Sequence, residues 1–114
     1  MLYLEVDGTI KLTRGDTARF TVPIDIEDER GNVIGEYVMN SEDVLVFGVK
    51  KNVKDEEYCF RKEFVGTNDI HIEPSDTKDL AFGKYKYDIQ LNKYNGDIFT
   101  ITDTCVFEVL TEVS

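Results

Sequence analysis

Tryptophan is absent from the chain, and cysteine, proline and histidine are scarce: the 114 residues include two cysteines, two prolines and one histidine. Cys59 and Cys105 are too few to form a disulfide framework, and neither stands in a C-x-x-C pair of the kind that binds zinc. No apolar run approaches the roughly 18 residues of a membrane span. The composition therefore argues against a disulfide-held, zinc-stabilised or membrane-spanning protein, and we expect reduced thiols and no membrane partner.

Positive charge is also scarce. Lysine and arginine number 13 against 23 acidic residues, which gives a net charge of −10 at pH 7. Because neutralising phosphates needs clustered cations, we expect no direct binding to nucleic acid. Solubility explains the acidic excess, and an alternative is an acidic surface that imitates DNA and inhibits a host defence enzyme that binds nucleic acid.

The N-terminal stretch MLYLEVDGTI lacks the basic region and the sustained apolar segment of a signal peptide. Synthesis and residence in a cytoplasm are therefore expected. A chain of 114 residues has the size of one ordinary domain, and we predict a single domain over residues 1–114.

The residues that carry enzyme chemistry do not form a recognisable set. His71 is the sole histidine and has no evident triad partner, and no serine stands in a G-x-S-x-G motif. The carboxylates of residues 27–29 are typical of a solvated turn, and those of Asp76 and Asp79 suit the start of a short helical turn. Neither group has the spacing of a calcium loop. We expect no catalytic residue, no cofactor and no metal site.

Alternating apolar and polar residues dominate the sequence, which predicts β-strands. One long strand is expected over residues 18–26, and its inward face comprises Ala18, Phe20, Val22, Ile24 and Ile26. About seven or eight such strands follow one another with turn signals between them. This pattern predicts an all-β fold, an immunoglobulin-like β-sandwich of antiparallel strands.

A hairpin is the clearest local prediction. Residues 84–91 alternate cleanly, Asn95-Gly96 supplies a tight turn, and residues 98–109 return as the second strand. In the returning strand Phe99 and Ile101 are expected to face inward.

The segment EPSDTKDLAFG precedes this hairpin and contains residues that are typical of the start and the end of a helix. Pro74 can open a short helical turn near residues 74–80, Ser75 or Asp76 can cap it, and Gly83 can close it. In immunoglobulin-like domains a tyrosine near the start of strand F bonds back to this corner, and Tyr85 or Tyr87 is a possible counterpart.

The tripeptide Arg14-Gly15-Asp16 is the motif that many adhesive proteins present to integrins. Strands are predicted on both sides of it, so residues 13–16 form a tight bend in which Gly15 supplies a positive φ and Asp16 binds backbone N–H groups. A tight bend projects little. We therefore expect a structural turn and no integrin binding.

Several stretches of the chain together carry a resemblance: RGDTARFTVPI, VLVFGVKK, IHIEPSDTKDLAFGKYKYDIQL, the NGD hairpin and the closing FEV. They resemble small immunoglobulin-like proteins of Firmicutes phages and prophages, and in particular the phage baseplate upper protein N-terminal domain family. The resemblance covers nearly the whole chain. It implies a virion or tail-associated module that is made in the bacterial cytoplasm, and it offers no catalytic residue to carry over.

The resulting expectation is a noncatalytic structural or interaction module of a phage or prophage particle, associated with the tail or baseplate. Its partners would be other particle proteins or further copies of itself, bound through strand edges or loops. Two alternatives remain open: the acidic inhibitor described above, and a carbohydrate-binding module for host recognition, which the six tyrosines and seven phenylalanines would serve if they were exposed.

Overall fold

The computed structural model describes residues 1–111, apart from the side chain of Asp103; residues 112–114 of the predicted domain lie outside the described part. The described strands and helix are, in chain order, β1 Leu2–Leu4, β2 Ile10–Thr13, β3 Ala18–Thr21, β4 Asp25–Glu27, β5 Val33–Glu36, β6 Val44–Lys50, β7 Phe60–Val65, β8 Asp69–Ile72, α1 Pro74–Thr77, β9 Gly83–Asn92 and β10 Ile98–Leu110. The all-β class is confirmed. In this part of the chain, no helix is long and apolar enough to cross a membrane.

Six strands form one curled sheet in the order β1-β2-β10-β9-β6-β7, and β3-β8 and β4-β5 form two separate pairs. The prediction of seven or eight antiparallel strands is wrong in two respects. Ten strands form within residues 1–111, and β2 pairs in parallel with β10 from Phe107↔Ile10 to Leu110↔Thr13. Alternation predicts strands but not their partners, and these two partners lie at opposite ends of the sequence.

The core lies between the six-stranded sheet and the β3-β8 pair. Phe47 of β6 is at its centre with 0% of its surface exposed, and its ring contacts four other aromatic rings. Those rings, at centroid distances of 5.4 to 6.4 Å, belong to Phe20, Phe60, Tyr87 and Phe107. Phe20 of β3 thus joins the pair to the sheet, and apolar burial holds the two layers together.

The strand predicted over residues 18–26 is interrupted. β3 ends at Thr21, residues 22–24 lie outside any strand, and β4 begins at Asp25. Val22 and Ile24 stay buried as predicted, but Ile26 is 42% exposed, so its predicted inward position is wrong. Beyond Ile24 the chain leaves the core and forms an exposed β4-β5 ribbon, in which every residue of both strands is exposed.

Three hairpins are closed by turns of one design, with the sequences EVDGT (5–9), DERGN (28–32) and KYNGD (93–97). In each turn the first N–H donates to the fifth carbonyl, and the N–H of the glycine donates to the first carbonyl. The glycines have φ between 82° and 94°. This is a type I turn followed by a left-handed residue, which the right-handed twist of a hairpin favours. The predicted turn at Asn95-Gly96 is confirmed, and the Asn95 side chain also accepts the Asp97 N–H at 3.0 Å.

A short helical turn is confirmed within residues 74–80 as α1, but it ends at Thr77 with Lys78 as its C-cap. Gly83 begins β9, so its predicted role in closing the helix is wrong. The first-turn carboxylate of α1, Asp76, accepts the Glu73 N–H at 2.8 Å, while the Glu73 side chain accepts the N–H of Asp76. The cap residue is therefore Glu73, and Asp76 supplies the reciprocal half of a capping box. Lys62 of β7 donates to the same Asp76 carboxylate at 2.7 Å, which anchors α1 to the sheet.

Candidate functional site

The Arg14-Gly15-Asp16 bend and the β4-β5 ribbon lie at opposite ends of the molecule. At one end lies the bend at residues 13–16. There Gly15 has φ of 82°, and the Asp16 N–H donates to the Thr13 carbonyl at 3.0 Å. The Arg14 guanidinium lies 4.2 Å above the Phe82 ring, and the Gly15 N–H donates to the Thr77 hydroxyl at 2.9 Å. The bend is thus folded against residues 77–82, and the Asp16 carboxylate bonds to the N-terminal ammonium rather than to backbone N–H groups.

Tyr85 and Tyr87 both bond to backbone, but at different places. The Tyr85 hydroxyl donates to the Ala81 carbonyl, four residues upstream, at 2.7 Å. The Tyr87 hydroxyl donates to the carbonyl of Gly8 in the first of the three turns. Tyr85 therefore has the geometry expected of a tyrosine corner, while Tyr87 fastens the β1-β2 turn to the core.

At the opposite end, the β4-β5 ribbon is built by its own turn. The Asp28 carboxylate accepts the N–H groups of Arg30 and Asn32 at 2.9 and 3.0 Å. These hydrogen bonds hold the pKa of Asp28 below its ordinary value. At the base of the ribbon the Tyr37 N–H donates to the Ile24 carbonyl at 2.8 Å. Hydrogen bonds therefore hold the ribbon both at its turn and at its base.

A cleft of about 730 Å³ separates this ribbon from the start of β10. One wall is formed by residues 23–27 and Tyr37, and the other by Leu91, Lys93 and residues 99–101. Phe99 is 50% exposed, so its predicted inward position is wrong, and Ile101 is half-buried. The cleft is open, and each wall exposes an apolar side chain, Ile26 on one and Phe99 on the other. We refer to it below as the ribbon cleft.

A buried carboxylate, Asp43, holds Tyr37 of the ribbon cleft in place. Asp43 has no exposed surface, and it accepts hydrogen bonds from the Tyr37 hydroxyl and from the N–H groups of Asn40 and Tyr94, both at 2.9 Å. Burial raises the pKa of Asp43, but these hydrogen bonds outweigh it, so the pKa of this carboxyl lies below its ordinary value. Its negative charge in turn raises the pKa of Tyr37 to about 12, chiefly through their hydrogen bond. Asp43 thereby ties a wall of the cleft to the β9-β10 turn.

Charge is distributed unevenly around the ribbon cleft. The ribbon carries the single cation Arg30, against the acidic residues Asp25, Glu27, Asp28, Glu29 and Glu36. Asp25 and Glu27 line the cleft itself. The ammonium of Lys93 lies 5.3 Å from the Tyr37 ring and 6.0 Å from the Phe99 ring, where it faces aromatic surface. The exposed rim is therefore acidic and the floor is apolar.

The other candidate residues named from the sequence lie away from this cleft. His71 of β8 is half-buried between the buried Ile70 and Ile72, beside Arg19 of β3. Cys59 is an exposed thiol, and the Cys105 thiol lies 3.9 Å from the Asp7 carbonyl oxygen. Among residues 1–111, no three histidine, cysteine or acidic side chains are grouped closely enough to hold a metal ion.

Sequence reasoning placed the Asn95-Gly96 turn correctly but missed the ribbon cleft. The turn signal at Gly31-Asn32 was present, and the likeness of DERGN to KYNGD identifies the ribbon as a second hairpin of the same design. Alternation could not show which part of the protein this exposed ribbon would face. Comparisons of the chain with protein-family models, with curated proteins and with solved structures give no significant match.

Proposed function

We propose that this chain is a noncatalytic structural module of a phage or prophage particle, associated with the tail or baseplate, and that it binds a protein neighbour at the ribbon cleft. The observation that carries the proposal is the exposure of apolar side chains on both walls, Ile26 on the ribbon and Phe99 on β10. Exposed apolar surface beside a polar rim is typical of protein-binding sites.

The strand arrangement supports an immunoglobulin-like sandwich for this module. The order β10-β9-β6-β7 corresponds to strands G-F-C-C′, and the pairing of β3 with β8 corresponds to B with E. In that correspondence the β4-β5 ribbon occupies the B–C connection, and the turn at residues 93–97 occupies the F–G connection. These connections lie at the end of the sandwich that variable domains use to bind antigen.

The particle assignment is supported by the sequence resemblance described above. The order of the ribbon cleft also supports this assignment. Its walls are held in place by strand pairing and by the buried Asp43. A protein that stays assembled in a particle gains from a surface that is already ordered before binding.

The test is incorporation into particles. Phage particles from the bacterium that encodes the chain are purified, and the chain is quantified in them by mass spectrometry. A double variant, Ile26→Ser with Phe99→Ser, removes apolar surface from both walls. The matched control, Val53→Ser with Val65→Ser, removes exposed apolar surface elsewhere, since these valines are 57% and 65% exposed.

We expect the wild-type chain and the control variant in the particles, and we expect the cleft variant to be depleted about tenfold or more. Circular dichroism of each purified variant establishes that it is folded. Particles that lack the wild-type chain would overturn the particle assignment. Equal incorporation of both double variants would overturn the assignment of the ribbon cleft as the binding surface.

A further inference from the structure

The first part of β10 has an open backbone edge. β10 pairs with β9 along most of its length, but β2 covers its other side only from Phe107 to Leu110. Within residues 1–111 no strand covers the outer side of residues 98–101. β2 cannot extend along this edge, because the chain reverses at the turn of residues 5–9 and β1 folds back onto β2.

The direction of the backbone groups follows from the hairpin register. Lys93 donates its N–H to the Asp97 carbonyl, so the next pair that exchanges hydrogen bonds is Leu91 with Phe99. Paired and unpaired positions alternate along an antiparallel ladder, and the N–H and C=O groups of Ile98 and Thr100 therefore point away from β9. Such an edge is a template for one more strand.

This open edge borders the ribbon cleft, because residues 99–101 form one of its walls. A strand that paired there would direct alternate side chains toward the apolar wall at Ile26. The intervening side chains would lie beside a ribbon that carries five carboxylates and one cation. Aliphatic residues suit the first set of positions, and lysine or arginine suits the second.

A second copy of this chain is a poor occupant of the same place. The chain has a net charge of −10, and the ribbon concentrates acidic residues around the cleft. Like charges brought together at an interface oppose association, whereas a basic partner is attracted. The negative charge of the chain therefore favours a basic partner over a second copy of this chain.

We propose that the ribbon cleft accepts an extended segment of the protein neighbour, with alternating aliphatic and basic residues, as an added strand on the open edge of β10. This inference rests on the proposed function, and it names the chemistry of the partner. The added strand binds through backbone hydrogen bonds to Ile98 and Thr100, and its basic side chains face the acidic rim.

The experiment is a fluorescence-anisotropy titration of the whole chain against labelled ten-residue peptides. The probe alternates valine and lysine. One comparison peptide alternates valine and glutamate, and another has the valine–lysine composition with two central prolines that prevent strand pairing. We expect the probe to bind at least about tenfold more tightly than either comparison peptide, and less tightly as salt is raised from about 0.05 to 0.3 M.

Two variants separate the cleft from general attraction to an acidic protein. Asp25→Lys with Glu27→Lys reverses two charges at the cleft, and Glu56→Lys with Glu57→Lys reverses two in the exposed loop after β6. We expect about tenfold weaker binding for the cleft pair and less than about twofold weaker for the loop pair. Thr100→Pro blocks the open edge without changing charge, and it is expected to abolish binding.

Hydrogen exchange gives a readout that does not depend on any variant. Binding of the probe should slow exchange at the amides of Ile98 and Thr100 in the wild-type chain. Unchanged exchange there, equal weakening by the two charge-reversed pairs, or equal binding of the proline peptide would overturn the inference. So would self-association of the chain through this edge, detected by light scattering and blocked by Thr100→Pro.

The two proposals fail separately. If the Ile26→Ser and Phe99→Ser variant is lost from particles but the probe does not bind, the neighbour uses the cleft by another mode and strand addition is wrong. If the probe binds at the open edge but particles lack the chain, the particle assignment is wrong and the edge remains a peptide site.

Discussion

Phe47 has the largest expected influence on stability of any single side chain described above, because it is fully buried and contacts four aromatic rings. Phe47→Ala leaves a cavity among rings that cannot all move inward, and we expect it to lower the free energy of unfolding by about 4 kcal/mol. Phe47→Leu keeps most of the volume and should cost about 1.5 kcal/mol. Urea denaturation followed by circular dichroism measures both values.

The matched truncation is Phe99→Ala, since half of that side chain is exposed in the ribbon cleft. We expect a loss below about 1 kcal/mol. A loss at Phe99 as large as that at Phe47 would mean that the start of β10 is packed into the core, and the ribbon cleft would then be closed.

Asp43 makes stability depend on pH. Its folded pKa lies below its unfolded value of about 3.9, so its stabilising effect is fully present above about pH 4 and is lost as the pH falls through the folded pKa. Asp43→Asn removes the charge that Tyr37 and two N–H groups contact, and we expect a loss of about 2 kcal/mol at pH 7. In urea denaturation at pH 7, 5, 4 and 3, the difference between wild type and variant should shrink below about pH 4.

Asp88→Asn serves as the control for that series, because it removes the same charge from an exposed position on β9. We expect it to change stability by less than about 0.5 kcal/mol at pH 7. A difference between wild type and Asp43→Asn that stays constant down to pH 3 would contradict the role assigned to the Asp43 charge.

At the scale of elements, the turn at residues 93–97 can be tested without disturbing the core. Gly96 has φ of 94° and open space around it, so a side chain there meets strain but no collision. Gly96→Ala should therefore destabilise the protein by about 1 kcal/mol through backbone strain alone. The measurement is the midpoint of urea denaturation.

Gly35 of β5 provides the matched control, since it also has open space around it but no positive φ. We expect Gly35→Ala to change stability by less than about 0.5 kcal/mol. Equal effects at both glycines would contradict the assignment of the destabilisation to the left-handed conformation of residue 96.

Turns and helix starts could be predicted from the sequence, because the residues that determine them are close together in the chain. The hairpin around Asn95-Gly96 and the helical turn at Pro74 follow from turn and cap residues within a few positions of each other. The parallel pairing of β2 with β10 did not follow, because its partners lie at opposite ends of the sequence. The exposure of Ile26 and Phe99 was missed for a different reason. Alternation predicts which side of a strand faces inward, but it does not show where along the strand the opposite layer of the core ends.

At the scale of the whole molecule, the shape is elongated. The radius of gyration is 14.8 Å, against about 13 Å for a compact domain of this length, and the extents are 47 × 27 × 26 Å. The 13 residues of β10, at about 3.3 Å each, are long enough to span most of the longest extent. The bend at residues 13–16 and Tyr85 fasten the end that carries α1, while the ribbon cleft lies at the other end. A partner bound at the ribbon cleft would therefore leave the end that carries α1 accessible to a second protein.

The net charge of −10 is also a property of the whole molecule, and it opposes compaction through self-repulsion. Screening lengths fall from about 30 Å at 0.01 M salt to about 8 Å at 0.15 M, so salt should relieve this repulsion. We expect the melting temperature to rise by about 4 °C over that range, which corresponds to about 1 kcal/mol for a chain of this size. Replacing Glu29, Glu56 and Glu57 by glutamine removes three exposed charges, and replacing them by lysine reverses them. The salt-dependent rise should shrink from wild type to the glutamine variant and again to the lysine variant; the same rise in all three would show that salt acts through burial of apolar surface and not through charge.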